Sequence, residues 1–220
     1  MNRNLFFLIF FFFKNAFAVD YVIGSGSEFK MTTNKGESAD LSIYITDSSF
    51  TKLGVEYFFS AGGSFLKTEV WQQFHLGLGG SRLTLDDGYI LSDDMKRPEI
   101  MNKEFIASKS DGVNVEDFFY SKSSDIEKFK IGEEKIEVPA GTLLTTHYKK
   151  ANNGQIVDFW VSDKAGAIGL VKLISSGRTA NQNYRIELMS LLKNVKAKIN
   201  PTEAVPLTEK GKFFLRPRSK

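Results

Sequence analysis

The sequence predicts a mostly β domain, with minor α content, that is built as one curved antiparallel sheet with one or two short helices. Two observations carry this prediction. Apolar and polar residues alternate along most of the chain, and Gly- and Asn-containing turns separate the alternating segments. A sheet of about eight to eleven such strands must curl to bury its apolar face and protect its edges. A half-open β-barrel is therefore expected.

The N-terminal half of the chain contains the first strands. Alternation predicts strands at 41–46, 55–59 and 66–76. Asp87 and Gly88 follow, and this residue pair is typical of a tight hairpin turn. The sequence therefore predicts two short strands, at 83–85 and 89–91, that meet at this turn.

The C-terminal half repeats the strand pattern after a predicted helix. Ser124 and Glu127 have the spacing of a capping box, which predicts a short helix from about Asp125 to Lys130 that ends near Gly132. Further strands are predicted at 143–149, 155–162, 169–175 and 183–192. The pair Asn153-Gly154 is typical of the turn between the first two of these strands. Residues 193–199 fit either a helix or an extended segment.

The first eighteen residues have the pattern of a secretory signal peptide. Arg3 provides a positive start, residues 5–13 are nine unbroken apolar residues, and Ala16-Phe17-Ala18 matches a cleavage site before Val19. A membrane span would need about 20 apolar residues, and Lys14 ends the run too early. We therefore expect export to the periplasm, or secretion, with a single domain at 19–199.

The last residues, 200–220, form a basic tail that contains three of the five prolines. The whole chain carries a net charge of +3, but the signal peptide contributes +2 and the tail +3, so residues 19–199 carry −2. A slightly acidic body does not favour nucleic-acid binding. The tail fits either a loose terminus or a segment that contacts an anionic membrane or an envelope partner.

Little in the sequence favours catalysis. The absence of cysteine excludes disulfides, thiolate chemistry, cysteine-based zinc sites and a lipid anchor on cysteine. His75 and His147 are the only histidines, and ordinary strand residues are a better interpretation than metal ligands. No nucleophile elbow or phosphate-binding loop is present. We expect no cofactor, no metal and no enzymatic activity, with a hydrolase that uses His147 and Asp158 as a minor alternative.

Four segments carry a resemblance to a known family. The first is the turn Val138-Pro139-Ala140-Gly141-Thr142, and the second is the strand segment 145–148. The third is the strand segment 157–162, which contains Phe159-Trp160-Val161-Ser162, and the fourth is 167–173, which contains Gly169-Leu170-Val171-Lys172. In this order they resemble uncharacterised exported bacterial domains related to the periplasmic lipoprotein carriers of the Lol system. The resemblance covers about residues 130–192. It implies a half-open antiparallel barrel in which helices close a hydrophobic cavity for acyl chains.

The predicted function is binding of an apolar ligand, such as lipid acyl chains, on the concave face of the sheet. The expected partner is therefore a lipid or a lipidated protein. The predicted lining residues are Val55, Tyr57, Phe59, Val70, Phe74, Phe159 and Val161, which would otherwise form a plain core. The loop 163–169 would place Ile168 over the cavity mouth or be an ordinary hairpin loop. Trp71 and Trp160 should lie on the opposite face, where they pack or meet a ligand. The alternative function is an envelope interaction module that acts through the basic tail.

Overall fold

The computed structural model describes residues 21–63, 66–77, 84–101, 127–152, 154–166 and 169–215. Twelve strands make up one sheet in this part of the chain. They are β1 Gly26–Thr33, β2 Ser38–Ser48, β3 Lys52–Gly63, β4 Leu66–Gly77, β5 Thr84–Ser92, β6 Glu99–Met101, β7 Lys130–Val138, β8 Gly141–Asn152, β9 Gln155–Val161, β10 Leu170–Ser176, β11 Tyr184–Leu192 and β12 Val205–Pro206. The helical elements are two 3₁₀ turns, Ala180–Gln182 and Pro201–Glu203, and the short helix α1, Glu209–Leu215.

The sheet consists of two meanders that meet at β1. Its strand order is β12-β6-β5-β4-β3-β2-β1-β11-β10-β9-β8-β7, and every pair is antiparallel except β12 with β6. β1 bonds to β2 on one side and to β11 on the other, so the N- and C-terminal halves share one continuous sheet. The prediction of a mostly β, curved and open antiparallel sheet is confirmed. None of the described helices is long and apolar enough to cross a membrane.

One apolar cluster draws residues from both meanders. Phe29 of β1 pairs with Leu41 of β2 and Leu188 of β11, and all three side chains are buried. Directly opposed residues of neighbouring strands share a face, so the inner face is continuous across the joint. The β7–β8 turn also reaches β11, because the Ala140 N–H donates to the Leu188 carbonyl oxygen at 3.3 Å. This contact brings the β7–β8 end of the sheet back over β11.

Gly26 lies at the start of β1, where the backbones of two strands come close together. A Cβ atom at this position would overlap the carbonyl oxygen of Ile43 and the Cβ of Tyr44. We expect Gly26→Ala to lower the free energy of unfolding by about 2–3 kcal/mol, because strand β2 must shift. Gly132→Ala is the matched control, since a Cβ there meets no atom within 4 Å. Equal urea midpoints for the two variants would contradict this prediction.

The predicted turn at Asp87-Gly88 is wrong. Both residues lie inside β5, where Gly88 is paired with Phe74 on one side and Met101 on the other. His75 pairs with Asp87 while Leu76 pairs with Leu85, so Asp86 is the extra residue of a β-bulge. Hydrogen bonding to strands on both sides outweighs the local turn preference of the Asp-Gly pair.

The predicted helix at 125–130 does not extend to its expected end. Residues 125 and 126 lie outside the described residues, Glu127 is helical, and β7 already begins at Lys130. Gly132, the expected stop, is a strand residue opposite His147. Pairing with β8 therefore decides the structure of this segment. Residues 193–199, which fitted either a helix or an extended segment, contain neither helix nor strand.

Candidate functional site

The inner face brings together all seven predicted lining residues. They come from β3, β4 and β9, and each is buried, with exposed fractions between 1% and 7%. The pairs Val55–Phe74 and Phe59–Val70 are directly opposed across β3 and β4. All seven belong to one apolar cluster that joins the two meanders. Their role in ligand binding stays a prediction, because a solid core and a cavity lining share this pattern.

The loop between β9 and β10 is anchored on β1 over its described part. Ala165 is completely buried, and the Ser27 hydroxyl donates to its carbonyl oxygen at 2.9 Å. Gly166 has a positive φ of 77° and lies so close to the Ser27 hydroxyl that a side chain would not fit. Ile168, and the signal cleavage site at Ala18 and Val19, lie outside the described residues.

The outer face carries a buried carboxylate. Tyr44, Glu56 and Gln73 are directly opposed on β2, β3 and β4, so they share the face opposite the apolar cluster. Glu56 is completely buried. Its two carboxylate oxygens accept hydrogen bonds from the Tyr44 hydroxyl, from Gln73 Nε2 at 3.2 Å, and from the backbone N–H groups of Lys198 at 2.8 Å and Ile199 at 3.0 Å.

These contacts perturb the titration of the groups involved. Burial raises the pKa of Glu56, and its hydrogen bonds to Tyr44, to the backbone of residues 198 and 199 and to Gln73 oppose that rise. Burial and the adjacent Glu56 carboxylate together raise the pKa of Tyr44.

Through its hydrogen bonds, Glu56 joins three strands to a chain segment more than 140 residues away in sequence.

The segment that Glu56 holds is the C-terminal strap, which we define as residues 193–204. The strap begins at the end of β11, where the Val195 N–H donates to the Gly24 carbonyl oxygen at 3.0 Å. Asn194 turns the chain with a positive φ of 57°, a conformation that asparagine tolerates well. Ile199, within the strap, is buried. The strap thus crosses the outer face from the end of β11 to the β4 region.

The chain beyond the strap is also docked on the sheet. β12 pairs with β6, and the buried Glu99 accepts hydrogen bonds from Thr208 N at 2.7 Å and Thr208 Oγ1 at 2.6 Å. The Lys210 ammonium lies 2.9 Å from the Asp94 carboxylate. A loose terminus therefore does not describe residues 200–212. The membrane or envelope contact of the 200–220 tail stays a prediction.

A cleft of about 450 Å³ lies between the strap and the turn after β5. Trp71 forms part of its lining, with the Lys198 ammonium 5.4 Å and the Phe58 ring 4.8 Å from the Trp71 ring. The lining is mixed in charge and polarity: Glu69, Trp71, Leu91, Ser92, Asp93, Met95, Lys96, Pro98, Lys198, Asn200 and Glu203. This polar cleft is unsuited to an acyl chain, which needs a continuous apolar wall.

His147 and Asp158 pair across β8 and β9, as their positions on adjacent predicted strands allowed. His147 Nε2 lies 2.9 Å from Asp158 Oδ1, and His147 Nδ1 lies 3.3 Å from Glu134 Oε1. The imidazole stacks on Trp160, whose Nε1 donates to the same Glu134 oxygen at 2.7 Å. Both ring nitrogens therefore face carboxylates, and neither is left to activate a nucleophile.

The histidines do not form a metal site in the described part of the chain. Asp158 and Glu134 approach opposite nitrogens of His147, so the three groups do not converge on one point. His75 is separate and pairs with Asp87 at 2.9 Å. Among the described residues, no cluster of three or more His, Asp or Glu side chains is arranged to hold an ion.

Comparisons with known proteins add little to this geometry. No protein-family model and no curated protein matches the chain. One similar solved structure, from Bacteroides fragilis, is described as an exported protein with a YmcC-like fold. It is 12% identical in sequence, the match covers 82% of this chain and 98% of that chain, and the TM-score is 0.39. A second, from Parabacteroides distasonis, is described as a lipoprotein; it is 10% identical, with coverages of 81% and 100% and a TM-score of 0.37. Neither TM-score is high enough to show a shared fold.

Proposed function

We propose that this chain is an exported, non-enzymatic binding protein that holds an apolar ligand, such as lipid acyl chains, on the concave face of its sheet. One observation supports the proposal most directly. The seven residues predicted to line the site lie on one buried face of a curved sheet whose two outermost strands, β12 and β7, are not paired to each other. In the proposed mechanism a ligand enters the inner face past these two edges, which are not bonded to each other.

The physical basis of binding is burial of apolar area. Each square ångström of apolar surface removed from water contributes about 25 cal/mol, so an alkyl chain gains affinity from contact area alone. The cleft on the outer face is less suited to an alkyl chain, because its lining includes five charged side chains, those of Glu69, Asp93, Lys96, Lys198 and Glu203. The signal-peptide pattern at residues 1–18 supports a site of action in the periplasm or outside the cell.

Native mass spectrometry of protein purified from a bacterial periplasm tests the proposal. We expect a lipid-sized mass on the wild-type protein that is released at higher collision energy. Phe74→Leu and Val161→Met should weaken or change the bound population, since both alter the lining, at a cost of about 1–3 kcal/mol in stability. Ile156→Val, on an exposed side chain, is the control. A clean unliganded mass for the wild-type protein under gentle ionisation would refute the proposal.

A further inference from the structure

One end of the sheet exposes large apolar side chains that the fold does not use. We call this surface the N-terminal rim and define it by Val22, Ile23, Phe50 and Leu191. Their exposed fractions are 60%, 58%, 99% and 47%. Half of the strongly exposed large hydrophobic residues in the described ranges thus lie at this one end.

Backbone contacts place these residues together. The Gly24 N–H donates to the Ile45 carbonyl oxygen at 2.8 Å, so Val22 and Ile23 lie beside the end of β2. Leu191 is paired with Ser27 at the start of β1. Phe50 occupies the tip of the β2–β3 hairpin, which the Ser49 N–H closes by donating to the Lys52 carbonyl oxygen at 2.8 Å.

Phe50 is the most informative member of the rim. Tight turns are usually formed by glycine, asparagine, aspartate or serine, because these residues suit both the backbone and the solvent. A phenylalanine that is 99% exposed at a turn tip contributes nothing to the core and leaves a complete apolar ring in water. An apolar ring in this position is available for a contact outside the folded chain.

The charges around the rim favour one kind of surface. Exposed lysines at this end, Lys52, Lys164, Lys193 and Lys196, outnumber the exposed aspartates, Asp47 and Asp163. The body of the domain is otherwise slightly acidic, at −2 over residues 19–199. Apolar side chains beside an excess of exposed lysines match an anionic lipid surface, where each lysine near the headgroups strengthens binding about fivefold.

The exposed apolar side chains and the excess of exposed lysines at this end together point to one kind of partner. We infer that the N-terminal rim docks on an anionic lipid bilayer, with the Phe50 side chain inserted between headgroups and Lys52 beside it.

Vesicle flotation of the chain from the predicted cleavage site at Val19 onward tests this inference. The probes are phosphatidylcholine vesicles with and without phosphatidylglycerol. We expect flotation with the phosphatidylglycerol vesicles and much less with phosphatidylcholine alone. Phe50→Ser should weaken binding about tenfold, because one aromatic ring is no longer buried. Lys52→Glu combined with Lys193→Glu should weaken it by more, and added salt should weaken wild-type binding.

Matched variants distinguish binding through the rim from binding through another part of the chain. Ile156→Ser removes an exposed apolar side chain at the opposite end of the sheet and should leave flotation unchanged. Replacement of Arg216 and Arg218 by serine tests the separate prediction of a tail contact, and flotation that survives this variant but falls with Phe50→Ser assigns binding to the rim. Circular dichroism should show that Phe50→Ser is folded.

Three outcomes overturn the inference. They are equal flotation with both lipid compositions, an equal loss of flotation for Phe50→Ser and Ile156→Ser, and a dimer that Phe50→Ser abolishes. The inference is independent of the internal ligand, since an unliganded protein can still bind vesicles.

Discussion

Replacing Glu56 by alanine should lower the free energy of unfolding by about 3–5 kcal/mol, measured by urea denaturation. The carboxylate is completely buried and accepts hydrogen bonds from Tyr44, Gln73 and two backbone N–H groups of the strap. Removal of the acceptor leaves these donors buried without their partner, and each such donor costs about 1–3 kcal/mol. The strap should also detach, which amide exchange at Lys198 and Ile199 would show as lost protection.

Glu203→Ala is the control for this prediction. Glu203 is exposed, lies in the same strap and accepts one hydrogen bond from Asn200, so its loss should change stability by less than about 0.5 kcal/mol. A cost below about 1 kcal/mol for Glu56→Ala would show that the strap does not depend on this carboxylate.

The pH dependence of Glu56→Ala gives a second readout. Burial raises the folded-state pKa of Glu56 above its unfolded-state value, which is about 4.3 for an ordinary glutamate. The stability that Glu56 contributes is therefore greatest below the unfolded-state pKa and declines as the pH rises through the folded-state pKa. The difference between wild type and Glu56→Ala should be larger near pH 4 than near pH 8. The opposite trend would contradict the assigned direction of the pKa shift.

The sequence predicted the strands with the clearest alternation and missed those with little of it. β2, β3, β4, β8, β9, β10 and β11 coincide with predicted strands to within a few residues. β1 was missed because its alternation is confined to residues 28–31, and β7 because glycine and charged residues interrupt its apolar positions. β6 and β12 are too short for any period to show. These four strands exist because neighbouring strands bond to them. Their positions follow from tertiary pairing and not from local pattern.

The outer face shows why the candidate sites were harder to predict than the fold. Glu56 alternates with Val55 and Tyr57, so its sequence context is that of an ordinary solvent-facing strand residue. Only the strap, from the far end of the chain, buries it. The seven inner residues were predictable because burial of one strand face is a local pattern. Whether they surround a ligand is not local, because lining and core require the same apolar residues.

Phe29 tests the joint between the two meanders. Replacing Phe29 by alanine should lower the free energy of unfolding by about 3–5 kcal/mol, because the ring is completely buried and its loss opens a cavity. β1 is bonded on both sides, to β2 and β11, so the backbone cannot move in to fill the space. Phe29→Leu should cost less, since part of the volume is kept. Phe50→Ala, on a fully exposed phenylalanine, should change stability by less than about 0.5 kcal/mol.

The Phe29 variant also separates the joint from the proposed ligand site. Phe29 belongs to the same apolar cluster as the seven lining residues but lies on β1, between the halves of the sheet. If the cluster is one solid core, Phe29→Ala and Phe74→Ala should destabilise the protein equally. If a ligand occupies the face near β3 and β4, only Phe74→Ala should reduce the bound lipid, and its cost in stability should shrink when lipid is removed. The assignment of β1 as the packed joint would be refuted if Phe29→Ala lowered the free energy of unfolding by less than about 1 kcal/mol while its dependence on urea concentration stayed the same.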